Sequence, residues 1–179
     1  MLVLGIDPGY AIVGWGVLRY DRNQYIPVDF GAITTDAGTD FSQRLNDVYD
    51  GIYRLCQRYH PDAAAVEKLF FTSNQKTVIG VAEARGGTRL ALRQNNVPFF
   101  EYTPLQVKQA VVGYGRAVKA QVMEMTRLML GLKEVPKPDD TADALAIAIC
   151  HAHSSGSILG SLKQGGSVPG VHLSIREGI

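Results

Sequence analysis

Four acidic residues stand where the surrounding sequence is apolar, and carboxylates in such positions can carry out chemistry. Asp7 ends the first apolar run of the chain, and Glu67 follows another apolar run at residues 63–66. Asp140 and Asp143 are three residues apart at the start of an apolar helical pattern, so they share one helix face. Clustered acids in a half-buried site repel one another and lose their charge unless a cation compensates them. The pattern therefore predicts a metal site.

The ligand types indicate which metal this site would hold. Carboxylate oxygens are hard ligands that suit Mg²⁺ or Mn²⁺, and no His or Cys pair at ligand spacing favours Zn²⁺ instead. Two such ions about 4 Å apart can activate a water and stabilise the leaving oxygen in phosphodiester cleavage. Such a site, with two ions, could therefore support metal-dependent phosphodiester cleavage.

Each acid also has an ordinary structural explanation. Asp7 precedes Pro-Gly and could be a turn residue, and Glu67 could be a surface acid at a strand end. Asp140 could simply place favourable charge at a helix N-terminus, and Asp139 could be the N-cap of that helix. Asp139 is also an alternative metal ligand to Asp140, because Asp139 and Asp143 are four residues apart and share a face.

Periodicity and turn signals predict the elements that position these acids. Apolar runs bounded by turns predict strands at residues 2–7, 11–20, 24–35, 63–66 and 97–102. Helical spacing and caps predict helices at residues 41–59, about 74–93, from 104, 119–132 and 139–153. Short links among the first three strands predict an antiparallel meander, and the later alternation predicts a mixed five-stranded sheet flanked by helices.

Two of the predicted helices have specific start signals. Asp40 or Ser42 can cap the helix at residues 41–59. Thr103 can cap the helix that begins with Pro104, since proline is favoured at the first helical position. The chain suits one domain at residues 1–154, followed by a Gly- and Ser-containing tail at residues 155–179.

Charge is distributed unevenly along the chain. The net charge is only +1, but residues 68–133 hold ten Lys and Arg and three acids, a net charge of +7. The two ends together therefore carry −6. A basic middle is typical of a surface that binds a polyanion, although a solvated helical surface gives the same pattern.

The remaining composition favours the cytoplasm. Cys56 and Cys150 lie in apolar helical patterns without partners at ligand spacing, as expected for core residues in a reducing compartment. No apolar run approaches the roughly 18 residues of a membrane span, and the N-terminus lacks the basic region of a signal peptide.

The motifs that contain the four acids resemble those of RuvC-type Holliday junction resolvases. In chain order they are Gly5-Ile6-Asp7-Pro8-Gly9, Gly14-Trp15-Gly16, Val66-Glu67 with a following Phe and Asn74, Glu83-Ala84-Arg85-Gly86, Tyr102-Thr103-Pro104 with Lys108, and Asp140-Thr141-Ala142-Asp143-Ala144-Leu145-Ala146. They extend over nearly the whole chain, up to about His153.

This resemblance implies a fold, an activity and partners. The fold would be RNase H-like, and Asp7, Glu67, Asp140 and Asp143 would be the metal-binding catalytic acids. Two subunits would form a homodimer, partly through the helix at about residues 74–93, and would cut symmetric strands of a four-way DNA junction. Family members act in homologous recombination and DNA repair with a RuvA–RuvB branch-migration complex.

The resemblance also places DNA contacts on the loop after Glu67. An aromatic side chain on a loop can stack on or wedge between bases where a junction is opened. The family implies this role for Phe70, and Phe71 and Asn74 follow in the same segment. The alternative for the two aromatic residues is packing back onto the core.

Three lysines are the other candidates for contact with DNA. Lys108 and Lys119 follow the family's basic positions near the active site and could bind the scissile phosphate or stabilise developing charge. Lys76 is a candidate for a contact to the DNA backbone, which holds register without reading sequence. A solvated helix face is the alternative for each.

Two other functions are consistent with parts of the sequence. A catalytically inactive scaffold could bind junctions on the same fold, although clustered acids beside phosphates would not help a binder. A phosphotransferase of the sugar-kinase and actin type could use Asp7-x-Gly9, but those proteins need two lobes and a second phosphate loop.

Overall fold

The computed structural model describes residues 1–68 and 75–162. The strands are β1 (Leu2–Asp7), β2 (Ile12–Asp21), β3 (Gln24–Thr34), β4 (Ala63–Glu67) and β5 (Phe99–Tyr102). The helices are α1 (Phe41–Tyr59), α2 (Gln75–Gln94), α3 (Pro104–Val112), α4 (Lys119–Met129) and α5 (Asp139–Leu162). Among the described residues, no helix is both long enough and apolar enough to cross a membrane.

The five strands form one mixed sheet in the order β3-β2-β1-β4-β5. β1 pairs antiparallel with β2 and β2 pairs antiparallel with β3, whereas β4 pairs parallel with β1 and β5 pairs parallel with β4. The predicted antiparallel start and mixed five-stranded sheet are therefore confirmed.

Helices cover both faces of the sheet and bury two apolar cores. α1 and α2 pack on one face, where Val48, Ile52 and Cys56 recur at helical spacing along α1. α3, α4 and α5 pack on the other face, where α5 contributes the apolar stretch from Ala144 to Ala152. Because α5 lies between the sheet and the other two helices, its position is fixed from both sides.

Two glycines bring α5 unusually close to the sheet. A Cβ atom at Gly5 in β1 would overlap the carbonyl oxygen of Ala144, and one at Gly14 in β2 would overlap the carbonyl oxygen of Asp140. Any side chain at either position would push the helix away. The glycines therefore set the height of the acidic end of α5 above the sheet.

The predicted helix starts are confirmed at α1 and α3. The Asp40 carboxylate accepts a hydrogen bond from the Ser42 backbone N–H at 2.9 Å. Thr103 Oγ1 accepts from the Gln106 N–H at 3.2 Å, and Gln106 Oε1 accepts from the Thr103 N–H at 2.8 Å. This reciprocal capping box, with Pro104 as the first helical residue, fixes where α3 begins.

Several predicted boundaries were wrong. β5 begins at Phe99 and not at residue 97, and α4 ends at Met129 and not at residue 132. The largest difference is α5, which continues past residue 153 to Leu162 and crosses the predicted domain boundary. The Ser154 and Ser155 hydroxyls donate to the carbonyl oxygens of Cys150 and Ala152, so these serines are accommodated within the helix. The rest of the predicted tail, residues 163–179, lies outside the described residues, and the domain division stays a prediction.

Candidate active site

Asp7 and Glu67 lie side by side because their strands are parallel neighbours. Ile6 in β1 pairs with Val66 in β4, so the next residue of each strand is an acid. Both side chains therefore lie at the carboxyl ends of the central strands. Ligand sites of open α/β sheets commonly form at this edge.

The N-terminal end of α5 brings the other two acids to the same edge. Asp7 pairs with Gly14 across β1 and β2, and the backbone of Asp140 rests directly on Gly14. The Thr141 hydroxyl donates to the carbonyl oxygen of Gly31 at 3.0 Å, which ties the start of the helix to β3. Asp143 follows one helical turn later.

Asp7 has the most perturbed carboxyl group in this cluster. Burial, followed by the negative charges of Asp143, Glu67 and Asp140, raises the pKa of Asp7 from 3.8 to about 8. Asp7 therefore holds a proton at pH 7 when no cation is bound. A buried carboxyl group pushed this far from its ordinary pKa is typical of a functional site.

Glu67 and Asp143 are shifted in the same direction. Burial, followed by the charge of Asp143, raises the pKa of Glu67, and Lys119 and Lys108 oppose that rise. Burial also raises the pKa of Asp143, against a hydrogen bond and charge from Lys119. The cluster is therefore short of positive charge even though two lysines lie beside it.

Lys119 is the cation closest to these acids. Its Nζ lies 2.9 Å from Asp143 Oδ2 and 3.6 Å from Asp139 Oδ2. The hydrogen bond to Asp143 raises the pKa of Lys119, so the ammonium stays charged. Because 56% of the lysine side chain is exposed, this ion pair contributes little to folding stability.

The donor set fits a hard divalent cation, although the side chains do not yet converge on one point. Among the described residues, no three acidic, histidine or cysteine side chains come close enough together to hold a metal ion as they stand. One of these carboxylates, Asp143, is paired with the Lys119 ammonium of α4 at 2.9 Å. Uncompensated carboxylates with raised pKa values are the chemistry that a divalent cation would complete.

A cleft of about 190 Å³ opens beside the acids. Its polar lining is Glu67, Asp143, Lys108 and Lys119, and its apolar walls are Pro104, Val107, Val122 and Ile147. Acids on one side and ammonium groups on the other suit a phosphate that lies between a metal and a basic wall.

The structure distinguishes Asp139 from Asp140, each of which was a candidate metal ligand at the start of α5. Both Asp139 and Asp140 act on Lys119 and Asp143, but of the two only Asp140 is among the charges that raise the pKa of Asp7. Asp139 is the first residue of α5, and its carboxylate faces Lys119, so the predicted N-cap role was wrong. This arrangement favours Asp140 as the partner of Asp7.

The predicted DNA contacts are only partly within the described residues. Lys108 and Lys119 both line the cleft. Lys76 belongs to α2, but its side chain lies outside the described residues, as do Phe70, Phe71 and Asn74 altogether. Their roles stay predictions.

Sequence reasoning missed the supporting residues of the site. Thr141 and the close contact at Gly5 were not identified, although Gly5 lies within a quoted motif. A small residue inside an apolar strand is a signal of close backbone approach, which applies to both Gly5 and Gly14.

A family profile, curated relatives and a solved structure all match this chain to RuvC proteins. The sequence profile described as "Crossover junction endodeoxyribonuclease RuvC" matches residues 3–151. Proteins of that name from Clostridioides difficile and Caldanaerobacter subterraneus are 57% and 54% identical to this chain, over 87% and 88% of it and 92% and 96% of their own lengths. The structure described as T. thermophilus RuvC in complex with Holliday junction substrate superposes with a TM-score of 0.83 at 36% identity, covering 87% of this chain and 94% of that one.

These matches confirm the predicted fold. The RNase H-like architecture extends over the whole described sheet and the helices around it. The same matches favour the nuclease over the phosphotransferase.

Proposed function

The chain belongs to the crossover junction endodeoxyribonuclease RuvC family, and we propose that Asp7, Glu67, Asp140 and Asp143 are its catalytic metal ligands. It is an endonuclease that resolves Holliday junctions by metal-dependent phosphodiester hydrolysis. The observation that carries the assignment of the site is the carboxylate cluster itself, in which burial and then mutual repulsion raise the pKa of Asp7 to about 8.

Each side of the cleft has a distinct role in this proposal. The four acids would hold two Mg²⁺ or Mn²⁺ ions. Bound there, the metal would supply the positive charge that activates a water and stabilises the leaving oxygen. Lys108 and Lys119 would hold the non-bridging oxygens of the scissile phosphate, and Lys119 would release Asp143 as the phosphate arrives.

The segment between Glu67 and α2 would supply the contacts that recognise the junction. Phe70 and Phe71 would stack on or separate bases, while Asn74 and Lys76 would contact the backbone. The support for this proposal is the position of the segment in the chain, directly after a proposed metal ligand. The family resemblance extends to Phe70 and Asn74.

A homodimer would place two such sites on one junction and allow paired, symmetric nicks. The outward face of α2 supports this proposal, since Ile79 and Leu90 are 61% and 53% exposed. Glu83 and Gly86 are exposed between them at helical spacing, and a Cβ at Gly86 would meet nothing within 4 Å. A second copy of α2 could therefore pack closely along this stripe. Action in the cytoplasm with a RuvA–RuvB complex rests on the family resemblance.

The proposal is tested with a synthetic four-way junction and a plain duplex, each incubated with Mg²⁺, Mn²⁺ or EDTA. We expect paired nicks in the junction alone and no cutting in EDTA. Asp7→Asn, Glu67→Gln, Asp140→Asn and Asp143→Asn should each reduce the cleavage rate by roughly 10³-fold or more while junction binding persists. Asp21→Asn, at the exposed end of β2, is the matched control.

Two outcomes would contradict this assignment. If the wild-type protein bound the junction tightly but cut it with neither metal, the chain would be a scaffold. If all four variants lost junction binding, the acids would serve the fold or DNA binding and not the chemistry.

A further inference from the structure

Arg44 is a buried cation that the proposed chemistry does not use. It lies on α1 with only 9% of its surface exposed. None of the ion pairs formed by the described residues involves it. A buried charge is costly unless hydrogen bonds compensate it, so the contacts of this guanidinium indicate what it is for.

Those contacts converge on the turn that follows Asp7. Arg44 Nε donates to Thr35 Oγ1 at 2.9 Å, and Nη2 lies 3.5 Å from the carbonyl oxygen of Tyr10. Thr35 Oγ1 in turn donates to the same Tyr10 carbonyl at 2.6 Å, and the Thr35 N–H donates to the Ala11 carbonyl at 3.0 Å. The turn at residues 8–11 is thereby closed onto the end of β3.

The ring of Tyr10 lies between Arg44 and α2 and contacts both. The Arg44 guanidinium lies 4.9 Å from the centre of the ring, and Phe41 meets its edge with centroids 5.5 Å apart. A Cβ at Gly80 would lie 3.1 Å from Tyr10 Cδ1 and Cε1, which is tighter than ordinary packing. The inner face of α2 therefore rests directly on the ring that Arg44 holds.

We propose that Arg44 and Tyr10 form a clamp, in which Arg44 holds the turn after Asp7 and the Tyr10 ring packs on α2. The position of Asp7 then depends on the position of α2 against the sheet. This inference rests on the proposed function of Asp7 and deepens it. Gly80 lies on the inner face of α2, and the neighbouring Ile79 lies on the outer face proposed to meet a second copy. If α2 moves as the dimer and the junction assemble, it would displace Tyr10 and thereby change the position of Asp7.

Arg44 is a positioning residue and not a catalytic one. The charges that act on the Asp7 carboxyl are those of Asp143, Glu67, Asp140 and Lys119. The guanidinium contacts the Tyr10 and Thr35 side of the turn instead. Its removal should leave the electrostatics of the acid cluster unchanged and alter its geometry.

The test compares Arg44→Gln with Arg58→Gln. Arg58 is the matched control because it lies on the same helix with its guanidinium 5.1 Å from the Tyr59 ring, but its side chain is 74% exposed and it lies near Asp29. We expect Arg44→Gln to lower kcat about 100-fold, the effect of a small misplacement, with unchanged junction Kd. Hydrogen exchange of the backbone amides of residues 9–11 and of those at the start of α2 should become faster. Arg58→Gln should change none of these.

Gly80→Ala keeps the proposal testable if Arg44→Gln fails to fold. Alanine favours helix more than glycine, so a loss of activity would not come from a lower helix propensity of α2. We expect kcat to fall several-fold because the new methyl group displaces the Tyr10 ring. Wild-type kcat and wild-type exchange at residues 9–11 in Gly80→Ala, or in a folded Arg44→Gln, would overturn the clamp. If the wild-type protein does not cut junctions at all, the proposed function fails, and the exchange comparison still decides whether the clamp exists.

Discussion

The two halves of α5 bury polar groups in opposite ways. Its N-terminal end places Asp140 and Asp143 among other carboxylates, where burial and repulsion raise the pKa values of Asp7, Glu67 and Asp143. Further along the helix, the buried His151 is bonded through Nδ1 to the Tyr102 hydroxyl at 2.8 Å and lies against the Phe100 ring at 4.6 Å. Burial lowers the pKa of His151, so this pair is neutral and satisfied at pH 7.

The difference separates a buried polar pair whose hydrogen bond is made from a cluster of buried like charges. A neutral pair with its hydrogen bond made costs little to bury, and it fixes β5 against α5. A set of buried like charges lowers stability, and a bound cation would offset that cost. Substitutions at Asp7, Tyr102 and Thr103 should separate the two regions, with the largest effect on stability at Asp7.

The acid cluster should destabilise the metal-free protein as pH rises. The folded pKa of Asp7 is about 8 against 3.8 for an ordinary carboxyl, so the folded state holds the proton more tightly between these values. The stability from this group is present below pH 4 and is lost as pH rises through 8. Asp7→Asn should therefore raise the free energy of unfolding at pH 8 in EDTA by roughly 2–5 kcal/mol.

Chemical denaturation of the two proteins at pH 5 and pH 8 measures this effect. The advantage of Asp7→Asn should shrink toward pH 5 and should also shrink when Mg²⁺ is added to the wild type. An equal or lower stability of the variant at pH 8 would show that Asp7 is compensated within the protein.

Removing the partner of His151 should lower stability, whereas Asp7→Asn should raise it. Tyr102→Phe removes the hydroxyl and leaves a buried ring nitrogen without that hydrogen bond, which should lower the free energy of unfolding by about 1–3 kcal/mol. Cleavage measured below the melting temperature should stay within a few-fold of wild type. A large fall in kcat with unchanged stability would place this pair in the catalytic machinery and remove the contrast.

Thr103 lies between the two regions and should show the smallest effect. Thr103→Ala removes the cap of α3, which carries Lys108 into the cleft, and should cost about 1 kcal/mol of stability. We expect junction cleavage to fall by less than tenfold, because the cap begins the helix but does not contact the cleft. Thermal unfolding and single-turnover cleavage at matched protein concentration provide the two measurements.

Much of this fold could be predicted because local signals agreed with the tertiary structure. The turn signals gave the first three strands and their antiparallel pairing, and Thr103-Pro104 marked the start of α3. The end of α5 could not be predicted, because Ser154 and Ser155 are typical of helix ends and turns by propensity. In the structure their hydroxyls bond back to helix carbonyls.

The acids of the site could be identified from their positions after apolar runs, but their environment could not. That Asp7 and Glu67 are neighbours depends on the parallel pairing of β1 with β4, which joins residues sixty positions apart. The choice between Asp139 and Asp140 depends on how α5 rests on Gly14, and the partner of Lys119 depends on how α4 packs beside α5. None of these contacts leaves a periodic signal in the sequence.

The most direct test of the acid cluster as a metal site is Mn²⁺ titration calorimetry at pH 7 in two buffers of different ionisation enthalpy. Because the pKa of Asp7 is about 8, wild-type protein should release about one proton as the metal binds. Asp7→Asn should bind more weakly and release none, while Asp21→Asn should match the wild type. Absence of Mn²⁺ binding by the folded wild-type protein, or binding that Asp7→Asn leaves unchanged, would contradict the account.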